Sequence, residues 1–89
     1  MPSESSKRSP AQRLEDILDN IDRIRKFTEG YNYSAFIADV RTVYAVTRAL
    51  EIISEASRHL PVEMKARWPA IDWRGMAVVG NVYATVMMM

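Results

Sequence analysis

Two stretches of this chain place their apolar residues three and four positions apart, and that spacing decides what it can fold into. In the first, Leu14, Ile17, Leu18, Ile21, Ile24 and Phe27 form a single stripe on a helix. Ser9-Pro10-Ala11-Gln12 opens it: Ser9 suits the N-cap, Pro10 the first helical position, and Gln12 completes an S-x-x-Q capping box. Gly30 supplies the stop. Glu15, Asp16, Asp19 and Asp22 come early in this stretch and Arg23, Arg25 and Lys26 late, which suits the helix dipole. These charges read as a solvated face. The second stretch follows the short connection Tyr31-Asn32-Tyr33. Ser34 is its expected cap, and one helix is expected to run to about Leu60, before Pro61. Its apolar residues, from Phe36 and Ile37 through Val43 and Ile53 to Leu60, cover too much of the circumference for a helix packed on one side. This is therefore the central helix, with neighbours on two sides or a dimer seam.

Beyond it, Pro61-Val-Glu-Met-Lys-Ala-Arg reads as a short helix ended by Trp68-Pro69, and Asp72 caps a last helix from Trp73 onward. Gly75 and Gly80 weaken that helix by about 1 kcal/mol each relative to alanine. Strand-type alternation bounded by turn signals occurs nowhere. The expected fold is all-α, an antiparallel bundle of three to four helices over residues 9–89, preceded by a disordered tail over residues 1–8. With 89 residues there is room for one domain, and a core this small gains from pairing with a second chain.

Composition narrows the chemistry. The net charge is +1, so no global pull toward a polyanion is indicated. The absence of cysteine removes disulfides, thiolate metal sites and thiol nucleophiles. No apolar run is long enough for a membrane span, and the first residues lack the apolar stretch of a signal peptide. A cytoplasmic chain that oligomerises is the expectation.

One polar strip survives on the central helix: Arg48, Glu51, Glu55 and Arg58. Glu51 and Glu55 share a face, as carboxylates four apart do, but a bundle metal site pairs such a Glu with a His three residues on, and Ser54 occupies that position. Neutralisation of the pair by Arg48 and Arg58 is the plainer account, and no metal or cofactor is expected. His59, the only histidine, follows Glu55 by one helical turn and has no nucleophile at a suggestive spacing, so its expected role is structural or that of a surface residue. There is no phosphate-binding glycine loop and no basic-aromatic stripe. The residues alone describe a helical interaction module.

An ordered set of residues resembles the HepT family. It begins with Arg13-Leu14-x-Asp16-Ile17-Leu18 and continues with Asp39 and Ala45-Val46-x-Arg48-x-Leu50-Glu51-Ile52-Ile53-x-Glu55-Ala56. Leu60-Pro61-x-Glu63, Pro69-x-Ile71-x-Trp73-Arg74 and Gly80-Asn81 complete it. The resemblance implies a dimerising helical bundle that is the RNA-cleaving toxin of a toxin–antitoxin pair. It also implies a partner, an MntA-type nucleotidyltransferase antitoxin that silences the toxin by adenylylating a tyrosine. The family signature lies on the last helix: an Arg, a short spacer, a His, one residue, then a Tyr. An imidazole there can move the proton of an RNA 2′-hydroxyl, and a guanidinium can stabilise charge growing on phosphate.

This chain departs from that signature. The Arg position falls on Gly80 or, in the branches with Arg directly before His, on Ala84; the His falls on Thr85 and the Tyr on Met87. Asn81 alone still matches. The resemblance therefore implies an inactive chain whose helical domain is C-terminally incomplete. The codons for Ala84 through Met89, read one base earlier, permit Arg-His-Gly-Tyr-Asp-Asp, the signature in register after Tyr83. A shifted reading frame after codon 83 is one expectation. The other is a genuine, degenerate end, with the chain a non-catalytic subunit that holds a nucleotidyltransferase or its substrate through Arg48, Glu51 and Glu55.

Overall fold

A computed structural model of the chain describes the backbone of residues 8–87 and the side chains through Gly80. The expected tail, apart from Arg8, lies outside the described residues. Among the described residues five helices follow in order: α1 (Pro10–Thr28), α2 (Tyr33–Ala38), α3 (Val40–Arg58), α4 (Val62–Lys65) and α5 (Trp73–Met87). The all-α fold is as the periodicity indicates, with three long helices and two short ones.

The start of α1 forms as its sequence dictates. Ser9 Oγ accepts from the Gln12 amide at 3.1 Å, and the Gln12 side chain accepts from the Ser9 amide at 2.8 Å, so two otherwise orphaned donors are satisfied reciprocally. Gly30 sits just past the helix with φ of 80°, the left-handed conformation that only glycine adopts without strain. The first turn of α1 carries no acid, contrary to the dipole reading, whereas Arg25 and Lys26 do occupy its last turn. Arg8 is not part of a free tail: its guanidinium donates to Asp16 at 2.8 Å.

The long second helix expected from Ser34 to Leu60 is two helices. Asn32, not Ser34, caps the first, its Oδ1 accepting from the Ala35 amide at 2.8 Å. The break falls at Asp39, which closes α2 with its own amide and opens α3 with its carboxylate. That carboxylate accepts from the Thr42 amide at 3.3 Å, from Thr42 Oγ1 at 2.9 Å and from the Tyr31 hydroxyl at 2.6 Å. Three donors on one short side chain outcompete continuation of the backbone ladder through residue 39. The apolar spacing continues across the break, which is why periodicity alone conceals it. The far end of α3 falls at Arg58, two residues before Leu60, with His59 as its C-cap.

The same hydrogen bonds, led by that from Tyr31, hold the Asp39 carboxyl below its ordinary value of 3.8. A depressed carboxylate pKa contributes stability that is present above the unfolded value and lost as pH falls through the folded one. Asp39→Asn should therefore keep the α3 cap while flattening the acid side of the stability–pH curve, and Asp39→Ala should lose both. Thermal melts between neutral pH and the acid limb check this.

α3 is the central helix. It packs against α1 on one side and α5 on the other. Ile17 of α1 meets Ile53 and Ala56 of α3 and Leu60 in the buried core, with Leu14, Met64, Trp73 and Met76 closing around them. The loop between α4 and α5 is pinned by the Trp73 indole N–H, which lies 3.1 Å from the Lys65 carbonyl and 3.2 Å from that of Trp68. Asp72 caps α5, its Oδ1 accepting from the Gly75 amide at 3.0 Å.

α5 approaches α3 through small residues. Ser54 and Ser57 on α3 are buried, and the Gly80 amide donates to Ser54 Oγ at 2.8 Å. A Cβ at Gly80 would lie 3.0 Å from the Glu51 Cα and 3.1 Å from the Leu50 carbonyl oxygen. Glycine at this position permits the two backbones to touch. Among the described residues, no helix is long and apolar enough to cross a membrane.

Candidate functional site

The polar strip of α3 faces a cleft against α1. Arg48, Glu51 and Glu55 line it together with His59, while Arg8, Arg13 and Asp16 come from the α1 side. Its volume is about 560 Å³. Helical spacing brings the α3 residues to one wall. The α1 residues arrive because Ile17 is sunk into the core, which turns Arg13 and Asp16 along the seam.

Within the cleft the charges are unequally matched. Arg8 pairs with Asp16 at 2.8 Å, whereas Arg48 lies 3.7 Å from Glu51, a loose contact between exposed groups. Glu55 is the best-held carboxylate. One oxygen accepts from Arg58 at 2.6 Å and the other lies 2.8 Å from His59 Nε2. Arg58, then His59, holds its carboxyl below the ordinary value of 4.5. Arg58 also donates to the Ala77 carbonyl at 2.5 Å, so the same guanidinium ties α3 to α5. Arg48 and Arg58 thus flank the two glutamates as their spacing indicates, but Arg58 turns away toward α5 and does not line the cleft.

Sequence reasoning found the α3 wall and missed its completion. Arg8 falls in the stretch expected as a tail, Arg13 stands in the sequence only as part of a family pattern, and the expected structural or surface role of His59 does not foretell its place on the cleft wall. The signal available for His59 was its position one turn after Glu55, which the hydrogen bond between them uses. Among the described residues, no group of three or more acidic or histidine side chains is arranged to hold a metal ion.

Of the signature positions, Gly80 is the one whose surroundings are described. Gly80 packs on α3 at Leu50–Ser54 and lines no part of the cleft. The backbone of residues 81–87 continues α5, and the side chains of Asn81, Ala84, Thr85 and Met87 lie outside the described ones.

Comparison with known proteins bears on the same elements. The family model described as ribonuclease HepT-like matches residues 17–85, from the core of α1 to near the end of α5. A Thermococcus cleftensis protein named "Probable ribonuclease HepT" is 46% identical over 80% of this chain and 64% of its own length. Two Methanocaldococcus jannaschii proteins, each named a "Putative RNase", are also similar. One is 38% identical over 86% of this chain and 71% of its own length, and the other 41% identical over 72% and 53%. The chain therefore spans between about half and seven-tenths of the length of these relatives. No solved structure matches. A match that takes in α1, the central α3 and most of α5 places this chain in the ribonuclease HepT-like family.

Proposed function

We propose that this chain is a HepT-type toxin subunit whose ancestral reaction is RNA cleavage and which is itself inactive. The observation that carries the reading is the family match through residue 85 combined with the residues found at the signature positions. Thr85 and Met87 offer no imidazole to move a proton and no phenol to accept an adenylyl group. Neither Gly80 nor Ala84 offers a guanidinium. His59 lies on another helix, at the C-terminal end of α3, with Nε2 2.8 Å from Glu55, so in this reading it does not take the signature imidazole's place.

The partner in this reading is a minimal nucleotidyltransferase of the MntA type, and the oligomer is a homodimer. Exposed apolar side chains support self-association: Val40 and Tyr44, one turn apart on α3, are 64% and 60% accessible, and Tyr33 of α2 is 72% accessible.

The test is an RNA-cleavage assay on the purified chain and on its His59→Ala variant. Neither should cleave above the buffer background. Cleavage that survives the substitution overturns the assignment of the signature positions. Cleavage that disappears with it overturns the structural role of His59.

A further inference from the structure

The α1–α3 cleft does not end at Arg48. A second cavity of about 200 Å³ continues along the same seam, lined by Arg23 and Phe27 of α1 and by Ala45, Ala49 and Arg48 of α3. Arg48 lines both cavities. From His59 to Ala45 the groove follows four turns of helix, about 20 Å.

Four arginines lie along this groove: Arg8, Arg13, Arg48 and Arg23. Three carboxylates face them, Asp16, Glu51 and Glu55, so the balance is cationic even with His59 neutral. The pairing leaves donors over. Asp16 is taken by Arg8 and Glu55 by Arg58 and His59, while Glu51 holds Arg48 only loosely, at 3.7 Å between exposed groups. Arg13 has no ion-pair partner among the described residues, and Arg23 has only the Asn20 amide oxygen at 3.3 Å. Arg8 adds a buried Nε without a hydrogen-bond partner among the described residues. At the far end the Phe27 ring is 39% exposed.

Spare guanidinium donors spaced along a narrow groove, with an aromatic face at one end, suit a single-stranded nucleic acid backbone and one stacked base. A free phosphate or nucleotide would use one end only. We infer that the α1–α3 groove is the surface on which this chain holds single-stranded RNA, with Arg13 and Arg48 as the principal phosphate contacts. The inference rests on the ribonuclease reading for its choice of ligand, but requires no catalysis by this chain.

The experiment is fluorescence anisotropy of a short, labelled single-stranded RNA of mixed sequence, titrated with the full chain between about 50 and 200 mM salt. The comparison is with Arg13→Glu/Arg48→Glu and with Arg67→Glu/Arg74→Glu, which reverses the same charge away from the groove. The groove variant should bind on the order of tenfold or more weakly, with the slope of log affinity against log salt smaller by about two. The control variant should show the wild-type slope and affinity to within about twofold. Circular dichroism and an Arg13→Lys/Arg48→Lys variant, which should retain most of the binding, separate lost contacts from lost folding. Equal weakening by both Glu variants, or none by the groove variant, overturns the groove while leaving RNA as the ligand. A wild-type chain that binds no RNA at the lowest salt overturns both the groove and the RNA reading, in favour of an acidic protein surface.

Discussion

Replacing Ala84 with Arg, Thr85 with His and Met87 with Tyr in one chain should raise RNA cleavage by at least about 10²-fold over the parent, the lower end of what a positioned acid–base group supplies. The three positions lie on α5, whose helical backbone runs through Met87, so the new side chains are offered from a formed helix. The imidazole supplies proton transfer at a 2′-hydroxyl, and the guanidinium stabilises the phosphorane charge. The phenol gives a second readout independent of cleavage. Incubated with ATP and an MntA-type nucleotidyltransferase, the Met87→Tyr chain should gain adenylyl mass and the parent should not. Thr85→Gln in place of Thr85→His keeps a polar side chain but no acid–base group, and should return cleavage to background. A triple variant that folds, binds RNA and remains inert would show that the signature does not transfer to these positions. The choice of residues is the one that the neighbouring reading frame of the same codons permits.

What the sequence revealed and what it concealed divide along physical lines. The two ends of α1 were legible, because Ser9, Gln12 and Gly30 act on the backbone within four residues of themselves. The central place of α3 was legible too, since an apolar surface wider than one stripe must be covered twice. The break at Asp39 was not. It rests on three donors to one carboxylate, among them the Tyr31 hydroxyl reaching forward across eight residues, and the apolar period runs straight through it. At the cleft the same rule applies. Arg48, Glu51 and Glu55 share a wall by helical spacing alone, whereas Arg8 and Arg13 join them through the register of α1 on α3, which Ile17 and Ile53 set by packing. His59 was legible as a position and not as a contact.

The two glycines of α5 should respond differently to alanine, although the gain in helix propensity, about 1 kcal/mol, is the same for both. At Gly75 a Cβ meets only the Asp72 capping carboxylate, the end of a side chain that can rotate away. The substitution exchanges a cap worth about 1 kcal/mol for that gain, and stability should change little. At Gly80 the obstacle is backbone: the Glu51 Cα at 3.0 Å and the Leu50 carbonyl at 3.1 Å, with Ser54 Oγ also at 3.0 Å. Ser54 Oγ can rotate but the two backbone atoms cannot, so α3 and α5 must part by a few tenths of an ångström, which strains the 2.8 Å bond from the Gly80 amide to Ser54. Overpacking of this kind costs about 1–3 kcal/mol, which exceeds the propensity gain over most of its range. Gly80→Val should cost more, since a branched side chain gains little helix propensity and needs more room, and in so small a domain a loss of that size is a large share of the total stability. Urea unfolding of the three variants measures the order: Gly75→Ala near the parent, Gly80→Ala below it, Gly80→Val lowest. Ser54→Ala removes the acceptor without adding volume. If it destabilises as much as Gly80→Val, the junction is held by that one hydrogen bond; a much smaller loss assigns the close α3–α5 approach to the missing side chain at residue 80.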